Sequence, residues 1–286
     1  MVKNRIIIIV ILAIFQIPVI FAQPHEFSIY GGGGLSTLRY QLSSGDASGG
    51  YGGDFGVGYT YFVNDRWGVH VGAGLGLYNA KAKLDGLKIV TPNLADSDGD
   101  RFDMHTTLAV YNETQNAMLL NIPVMVQFQP QQHQGFYAMG GIKTGVPLSS
   151  KHASKDAAFT NAGYYTGLGN WATMQEFAGF GAFEGENFDG NYELGLSLML
   201  SLEAGMKWRI GASLSLYTGA YFDYGLNNAA KNSHLPFVNY TADNPSGFTT
   251  NSVLSMFTDK ISMMAVGIKV RLSFGQSQKR GASRKR

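Results

Sequence analysis

The feature of this sequence that most constrains its fold is a long alternation of apolar and polar side chains. Over residues 193–208 every second residue is apolar, from Leu194 to Trp208, while the intervening positions hold mainly glycine, serine and charged residues. A period of two places these classes on opposite faces of a β-strand, and no face of an α-helix fits it. The run also exceeds the five or six residues of an ordinary globular strand. The sequence therefore predicts strands of unusual length.

Seven other segments alternate in the same way, which brings the predicted strand count to eight. They are residues 27–40, 54–62, 67–78, 118–129, 136–148, 211–224 and 261–274. Short connections (63–66, 130–134, 209–210) alternate with long ones (41–53, 79–117, 149–192, 225–260). This alternation is typical of bacterial outer-membrane barrels with tight periplasmic turns. The predicted fold class is all-β: a transmembrane antiparallel up-and-down β-barrel of eight strands, with long extracellular loops and both termini periplasmic.

One further segment, residues 102–111, also alternates and leads to an alternative count of ten strands. Counting it as a membrane strand would reverse every later strand and move the long connection 149–192 to the side of the short turns. We therefore interpret it as a hairpin arm above the membrane, which turns at residues 112–115 into the fourth strand. Long connections of this kind usually carry function or order.

Aromatic residues collect on the apolar parity at the strand ends next to the short turns. They are Phe27, Tyr61, Trp67, Phe128, Phe136, Trp208 and Phe274. Amphipathic rings settle at headgroup depth, whereas a general preference of aromatic residues for strands would not sort them by depth. The pattern predicts an aromatic girdle at one membrane interface.

The opposite parity carries charges of both signs, which predicts a filled lumen. The acids are Asp54, Glu193, Glu203 and Asp223, and the bases are Lys143, Lys207, Lys269 and Arg271. Eight strands enclose an interior just wide enough for side chains to fill. We expect these charges to balance, with Glu203 and Lys269 at similar depth, and the barrel not to conduct freely.

The two ends of the chain are predicted to lie outside the barrel domain, residues 23–275. Residues 1–22 resemble a signal peptide, with Lys3 and Arg5 before an apolar run that is too short to span a membrane. Without those two cations, 20 basic residues face 20 acidic ones. Five of the basic residues lie in the predicted tail, residues 276–286. The tail would make a periplasmic contact with anionic envelope components, or else be a disordered, solvated end. Nucleic acid is not expected as a partner of an exported chain.

Signs of enzyme chemistry are weak, and no cofactor or metal is expected. The chain has no cysteine, and its six histidines are scattered without metal-ligand spacing. His152 and Ser154, or Ser233 and His234, pair a base with a hydroxyl, but both pairs fall in predicted loops. Asp96, Asp98 and Asp100 alternate like the start of a calcium loop, although glycine is fourth rather than sixth. Whether these three carboxylates bind a divalent ion is left open.

Short motifs are similar to those of a known family. Residues 119–124 (LLNIPV) and 136–141 (FYAMGG) resemble two successive strands of the small outer-membrane β-barrels common in the Bacteroidetes, the PorT-like or OmpX-like barrels. Residues 224–228 (YGLNN) resemble the end of the seventh strand of that family. The resemblance implies a porin-like fold in the outer membrane of a Gram-negative bacterium. The family is functionally mixed, so it implies no active residues.

The functional prediction is a non-enzymatic, monomeric protein surrounded by outer-membrane lipid. Its loops 149–192 and 225–260 would bind an extracellular ligand or partner protein, in adhesion or in envelope structure. Loop 149–192 supports this, because rings such as Tyr164, Trp171 and Phe188 are unusual in a passive linker. The alternatives are a small-solute channel or transporter and a lipid-modifying enzyme.

Overall fold

Thirteen strands and one short α-helix form the regular structure of the described chain. The computed structural model describes residues 25–131, 134–231 and 235–275. In chain order the elements are β1 (His25–Tyr40), β2 (Asp46–Gly49), β3 (Tyr51–Phe62), β4 (Trp67–Ala95), β5 (Arg101–Phe128), β6 (Gly135–Tyr165), β7 (Asn170–Ala172), β8 (Gly181–Asn191), β9 (Ser197–Arg209), β10 (Leu214–Gly225), β11 (Val238–Asn239), β12 (Thr249–Thr250), α1 (Val253–Met256) and β13 (Ile261–Gly275). Single turns of 3₁₀ helix lie at Glu176–Ala178 and Pro245–Gly247. The predicted signal peptide and basic tail lie outside the described residues.

Eight of these strands close into an antiparallel barrel. Around the ring the order is β1, β3, β4, β5, β6, β9, β10 and β13, after which β13 pairs with β1. At the closure the register runs from Glu26 opposite Gly275 to Tyr40 opposite Ile261. A closed ring leaves no unpaired strand edge, which a hydrocarbon environment would not tolerate. The predicted eight-stranded up-and-down barrel is confirmed, and the count is eight rather than ten.

The barrel wall carries its polar side chains inside and its apolar side chains outside. In β9, Leu200 and Leu202 are exposed, whereas Ser201 and Glu203 are buried. A sheet in water would show the opposite arrangement, because burial of apolar area is what stabilises it. The outer surface of the ring is therefore suited to lipid. Within the described ranges, no helix is both long enough and apolar enough to cross a membrane.

The glycine-rich stretches of the wall make room for large side chains in the lumen. A Cβ on Gly74 of β4 would lie 2.3 Å from the Tyr30 hydroxyl oxygen. A Cβ on Gly219 of β10 would lie 2.7 Å from the Tyr137 hydroxyl oxygen. Tyrosines can therefore cross the narrow interior only where the facing wall residue has no side chain.

Three strands are much longer than a membrane crossing requires. β4, β5 and β6 contain 29, 28 and 31 residues, against the ~10 residues of a tilted membrane strand. β4 pairs with β5 from Trp67 opposite Phe128 to Ala95 opposite Arg101, and β8 pairs with the edge of β6. We call residues 79–95, 101–117 and 149–165, together with β7 and β8, the extension. The predicted loops 79–117 and 149–192 are thus mostly strand.

The polarity of the wall inverts between the barrel and the extension. Leu84, Phe102 and Met104 point inward in the extension and are fully buried in an apolar cluster with Phe180. This inversion fits a sheet that leaves lipid and enters water. The predicted turn at residues 112–115 is wrong, because β5 passes through it without interruption and the turn lies at residues 96–100. The polar residues that suggested a turn are instead paired strand residues, two of which, Glu113 and Gln115, are buried and hydrogen-bonded to each other.

Candidate functional site

The most buried cation of the lumen is Lys143, which lies between two acids. Its ammonium donates to the carboxylate of Asp223 at 2.6 Å and to that of Asp54 at 3.1 Å. The Lys143 side chain is 1% exposed. Ser201 donates to the other oxygen of Asp223 at 2.6 Å. A charge this deep requires such partners, because removal from water without them is costly.

A second group of lumen charges surrounds Glu203. The Glu203 carboxylate lies 3.4 Å from the Lys269 ammonium and 4.0 Å from the Arg271 guanidinium, and accepts a hydrogen bond from Tyr137 at 2.9 Å. Lys269 is also 3.6 Å from the Asp54 carboxylate. The two groups therefore form one network through Asp54.

Nearer the short turns, Lys207 pairs with an acid that sequence reasoning missed. Its ammonium donates to Glu26 at 2.8 Å, and the Tyr217 hydroxyl donates to the same carboxylate at 2.7 Å. Glu26 lies at the very start of β1, before the parity of that strand is established, so only its even spacing from Tyr30 could have indicated it.

The structure corrects one predicted lumen residue, Glu193. Its side chain is 58% exposed and lies 3.3 Å from the Lys231 ammonium, outside the barrel. β9 begins at Ser197, and pairing with β6 ends at Gly145 opposite Ser197. Residues 193–196 continue the alternation of the sequence but have left the wall, so parity no longer reports their orientation.

Side chains fill the middle of the lumen almost completely. A cavity of about 10 Å³ is lined by Tyr30, His70, Met125, Glu203 and Arg271, among others. That volume accommodates one water molecule. Four aromatic rings lie near the cations, including Tyr217, whose ring centre is 4.2 Å from Arg271. The described lumen thus has a densely packed, charged middle.

The seven predicted girdle residues all lie on the outer surface near the short turns. Phe27 lies opposite Phe274, close to the first residue of β1 and the last residue of β13. Trp67 lies opposite Phe128, and the centres of their aromatic rings are 4.7 Å apart. The other three members lie at the same end of their strands: Tyr61, Phe136 and Trp208. This placement is what an interfacial girdle requires.

At the opposite end, residues 235–258 fold into the mouth of the barrel, and we call them the cap. Phe248 packs on Phe159 and Phe183 of the extension, with ring centres 5.4 Å apart in both pairs. Phe237 packs on Tyr111 at 5.0 Å. Leu254 of α1 reaches the apolar cluster at the top of the lumen. The cap therefore joins the core of the extension to that of the barrel.

A buried carboxylate, Glu113 of β5, accepts hydrogen bonds from two donors of the cap and one of its own strand. Glu113 accepts from the Ser252 hydroxyl at 2.5 Å, the Val253 backbone N–H at 3.1 Å and the Gln115 amide at 2.9 Å. The residue lies in the extension, where burial raises the pKa of its carboxyl and these hydrogen bonds oppose that rise. Sequence reasoning assigned Glu113 to a turn and therefore missed it.

The predicted base–hydroxyl pair His152 and Ser154 does not form a hydrogen-bonded nucleophile site. His152 and Ser154 are both buried in β6, and neither the His152 Nδ1 atom nor the Ser154 hydroxyl has a hydrogen-bond partner. His152 Nδ1 lies 3.6 Å from Glu113, and burial lowers the pKa of its imidazole. Ser252 donates to Glu113 directly rather than to a histidine. The pair Ser233 and His234 lies outside the described residues.

The alternating acids of the sequence form the turn between β4 and β5. The Asp96 carboxylate accepts the backbone N–H groups of Asp98 at 3.0 Å and Asp100 at 2.9 Å, and the Tyr165 hydroxyl at 3.0 Å. One of the three carboxylates is thus used inside the turn. Across the described residues, no group of three or more His, Cys, Asp or Glu side chains could hold a metal ion.

The far end of the extension carries exposed aromatic and apolar side chains. The Trp171 ring lies 4.9 Å from the rings of both Tyr164 and His105. Leu168 and Met174 beside it are 67% and 86% exposed. We call these five residues the tip cluster. Other aromatic residues of the predicted loop, such as Phe180 and Phe188, are buried in the extension core.

The closed ring, the inverted polarity and the filled lumen define an outer-membrane β-barrel protein. Residues 21–231 match the family described as outer membrane protein beta-barrel domain. The chain belongs to this family, which places it in the outer membrane of a Gram-negative bacterium. No match was found among curated proteins.

Two solved structures are similar to this chain at low sequence identity. Ail, the attachment invasion locus protein of Yersinia pestis, solved with the heparin analogue sucrose octasulfate, is 11% identical, with a TM-score of 0.30 over 88% of this chain and 98% of that one. OprG of Pseudomonas aeruginosa is 14% identical, with a TM-score of 0.32 over 89% and 98%. At these values neither similarity indicates what this chain does.

Proposed function

We propose that this protein is a non-enzymatic surface receptor or adhesin that uses the extension to bind an extracellular ligand or partner protein. The observation that carries the proposal is the extension itself: three barrel strands continue beyond the ring as a packed sheet that ends in the tip cluster. A passive barrel needs no such sheet.

The tip cluster supports a binding role because its Trp171 ring is exposed and held in place. Trp171 on β7 is backed by Tyr164 and His105 on the neighbouring strands β6 and β5. Rigid exposed aromatic side chains are enriched at recognition surfaces, where they contribute area at a low cost in conformational entropy. The exposed Leu168 and Met174 enlarge the patch.

The proposal includes an orientation and a state of assembly. The extension would face the cell exterior, both termini the periplasm, and the barrel would act as a monomer, with residues 276–286 in contact with anionic periplasmic components. The narrower resemblance to PorT-like or OmpX-like barrels of the Bacteroidetes belongs to the same proposal.

Binding by whole cells tests the role of the tip cluster. Cells that display the wild-type protein are compared with cells that display Trp171→Ala/Tyr164→Ala on immobilised panels of extracellular proteins and polysaccharides. We expect wild-type retention on at least one surface above cells without the protein, and about a tenfold loss in the variant, the effect of removing one binding hot spot.

Tyr51→Ala is the matched control, because Tyr51 is an exposed aromatic residue, 81% accessible, outside the tip cluster. It should bind like the wild type at equal surface level. Equal binding by the tip variant, or wild-type retention no greater than that of cells without the protein, would refute the proposed role.

A further inference from the structure

The barrel wall has a break on its outer surface between β6 and its neighbours. β9 pairs with β6 up to Gly145 opposite Ser197, and β8 pairs with β6 from Lys151 opposite Asn191. Between these two paired regions, the Tyr192 N–H donates to the Ser150 carbonyl at 3.1 Å. The register between β5 and β6 also shifts here, opposite Leu119.

The break forms an open cleft of about 320 Å³. Its lining includes the apolar side chains of Pro147, Leu148 and Leu194 and the charged side chains of Lys231 and Glu193.

The cleft begins where the apolar band of the barrel ends. Leu148 of β6 is exposed on the outer face, and it is separated by 12 residues from the girdle aromatic of the same strand, Phe136. Twelve residues of a strand tilted by about 40° rise roughly 30 Å, which is the thickness of the hydrocarbon core. The cleft therefore lies at headgroup depth, in the leaflet next to the extension.

Two lysines flank the cleft at this depth. Lys231 is kept there by a backbone bridge between Leu194 and Ala230 and by the Gly195 N–H, which donates to the Ala229 carbonyl at 2.9 Å. Its ion pair with Glu193 is exposed on both sides and therefore contributes little. Lys151, opposite Asn191, is exposed and has no ion pair among the described residues.

We infer that this cleft binds the phosphorylated headgroup of an anionic membrane lipid. The first carbons of an acyl chain would lie against Leu148, Pro147 and Leu194, and the phosphate between Lys151 and Lys231. Lysine binds phosphate as a point charge. The apolar residues of the cleft would contact a lipid but not a free phosphate ion. In the proposed orientation this is the outer leaflet. The inference itself rests on the cleft and its depth, and not on the tip cluster.

Native mass spectrometry of the purified full chain in detergent micelles tests the inference. The probes are lipid A with its phosphates, lipid A without them, and inorganic phosphate. We expect wild-type protein to retain the phosphorylated form about tenfold better than the dephosphorylated form, and Lys151→Gln/Lys231→Gln to lose that preference, since each lost charge contact weakens binding several-fold.

Lys83→Gln/Lys88→Gln is the control, because it removes the same charge from two exposed lysines of the extension that lie away from the cleft. It should retain lipid like the wild type. Equal retention by the cleft variant and the wild type would overturn the site. Inorganic phosphate bound as firmly as the lipid would overturn the assignment to lipid. Neither result bears on binding at the tip.

Discussion

Lys143 is the single residue on which the closed lumen depends most. Replacement by methionine keeps the volume but leaves Asp54 and Asp223 as buried acids without a cation within 3.1 Å. Removing one partner from a buried ion pair costs about 3–5 kcal/mol. We expect Lys143→Met to lose the heat resistance of the folded barrel, measured as the temperature at which its compact electrophoretic form disappears.

Lys83→Met is the matched control, because Lys83 is exposed and pairs only at the surface. It should unfold with the wild type. Lys269→Ala should shift the transition in the same direction but less, since Arg271 still lies near Glu203. A Lys143→Met protein as heat-resistant as the wild type would show that the network adds no stability.

The Glu113 carboxyl should make attachment of the cap depend on pH. Burial raises its pKa in the folded protein, so the protonated form is favoured there. Its contribution to stability is complete below the unfolded value near 4.5 and is lost as pH rises through the raised value. Glu113→Gln removes this term. The cap of that variant should therefore resist protease better than the wild-type cap, and this difference should grow from pH 4.5 to pH 8.

Glu113→Ala separates the charge from the hydrogen bonds. It leaves the Ser252 hydroxyl, the Val253 N–H and the Gln115 amide without their acceptor, and each unpaired buried group costs about 1–3 kcal/mol. The cap should then be cleaved faster than in the wild type at both pH values. A constant difference between Glu113→Gln and the wild type across this range would argue against titration of Glu113.

How much the sequence reveals about single residues depends on whether they lie in a paired strand. Asp223 and Lys269 are buried where their parity places them, because one register step fixes the face of every residue in a paired strand. Glu193 is not, because it precedes the first paired residue of β9. The role of Glu113 was missed for a different reason. An acid next to asparagine and threonine predicts a turn, and its distant partner Ser252 is known only from the structure.

At the scale of elements, the cap and the lumen network are separate structures at different depths of the barrel. The cap contacts the extension and the top of the lumen, whereas Lys143 and Glu203 lie below it on the barrel strands. We expect a protein in which residues 236–257 are replaced by a short Gly-Ser linker to stay non-conducting in planar bilayers. The ionic network would still fill the interior. Stable openings of porin size would show that the cap alone closes the barrel.

The surroundings of each strand explain which elements the sequence could predict. The membrane strands alternate strongly because lipid requires every outward residue to be apolar. In the extension, water outside and an apolar core inside reverse the parity, and irregularities near Val110 and Leu148 shift it again. A fixed period therefore identified the barrel part of β4, β5 and β6 and lost the rest of each strand.

At the scale of the whole molecule, the orientation in the membrane can be measured with two tags. A tag at Asn64 lies in the turn after β3, where the Asn64 side chain accepts the N–H groups of Arg66 and Trp67 at 2.9 Å. A tag at Gly167 lies in the turn after β6 at the far end of the extension. We expect antibody on intact cells to reach the Gly167 tag only.

Permeabilised cells are the control, in which both tags should be labelled. Labelling of Asn64 but not Gly167 on intact cells would reverse the proposed orientation. The closed ring follows from alternation and loop lengths, because an even number of strands with tight turns on one side leaves few other arrangements. The tilt of the tip and the proposed partner of the extension depend on contacts that the alternation of apolar and polar residues does not encode.

The continuity of β4, β5 and β6 from barrel to tip also has a mechanical consequence. The backbone ladder between β4 and β5 runs from Trp67 opposite Phe128 to Ala95 opposite Arg101, with one irregularity near Thr91. In the proposed orientation, a force that pulls the tip away from the cell acts along these strands. It loads many hydrogen bonds in shear at once, instead of opening them one after another as a hinged domain on a linker would allow. The sheet is anchored at its base by strands that cannot leave the ring without exposing backbone to lipid. Tension applied at Trp171 is thus carried straight into the membrane-embedded wall.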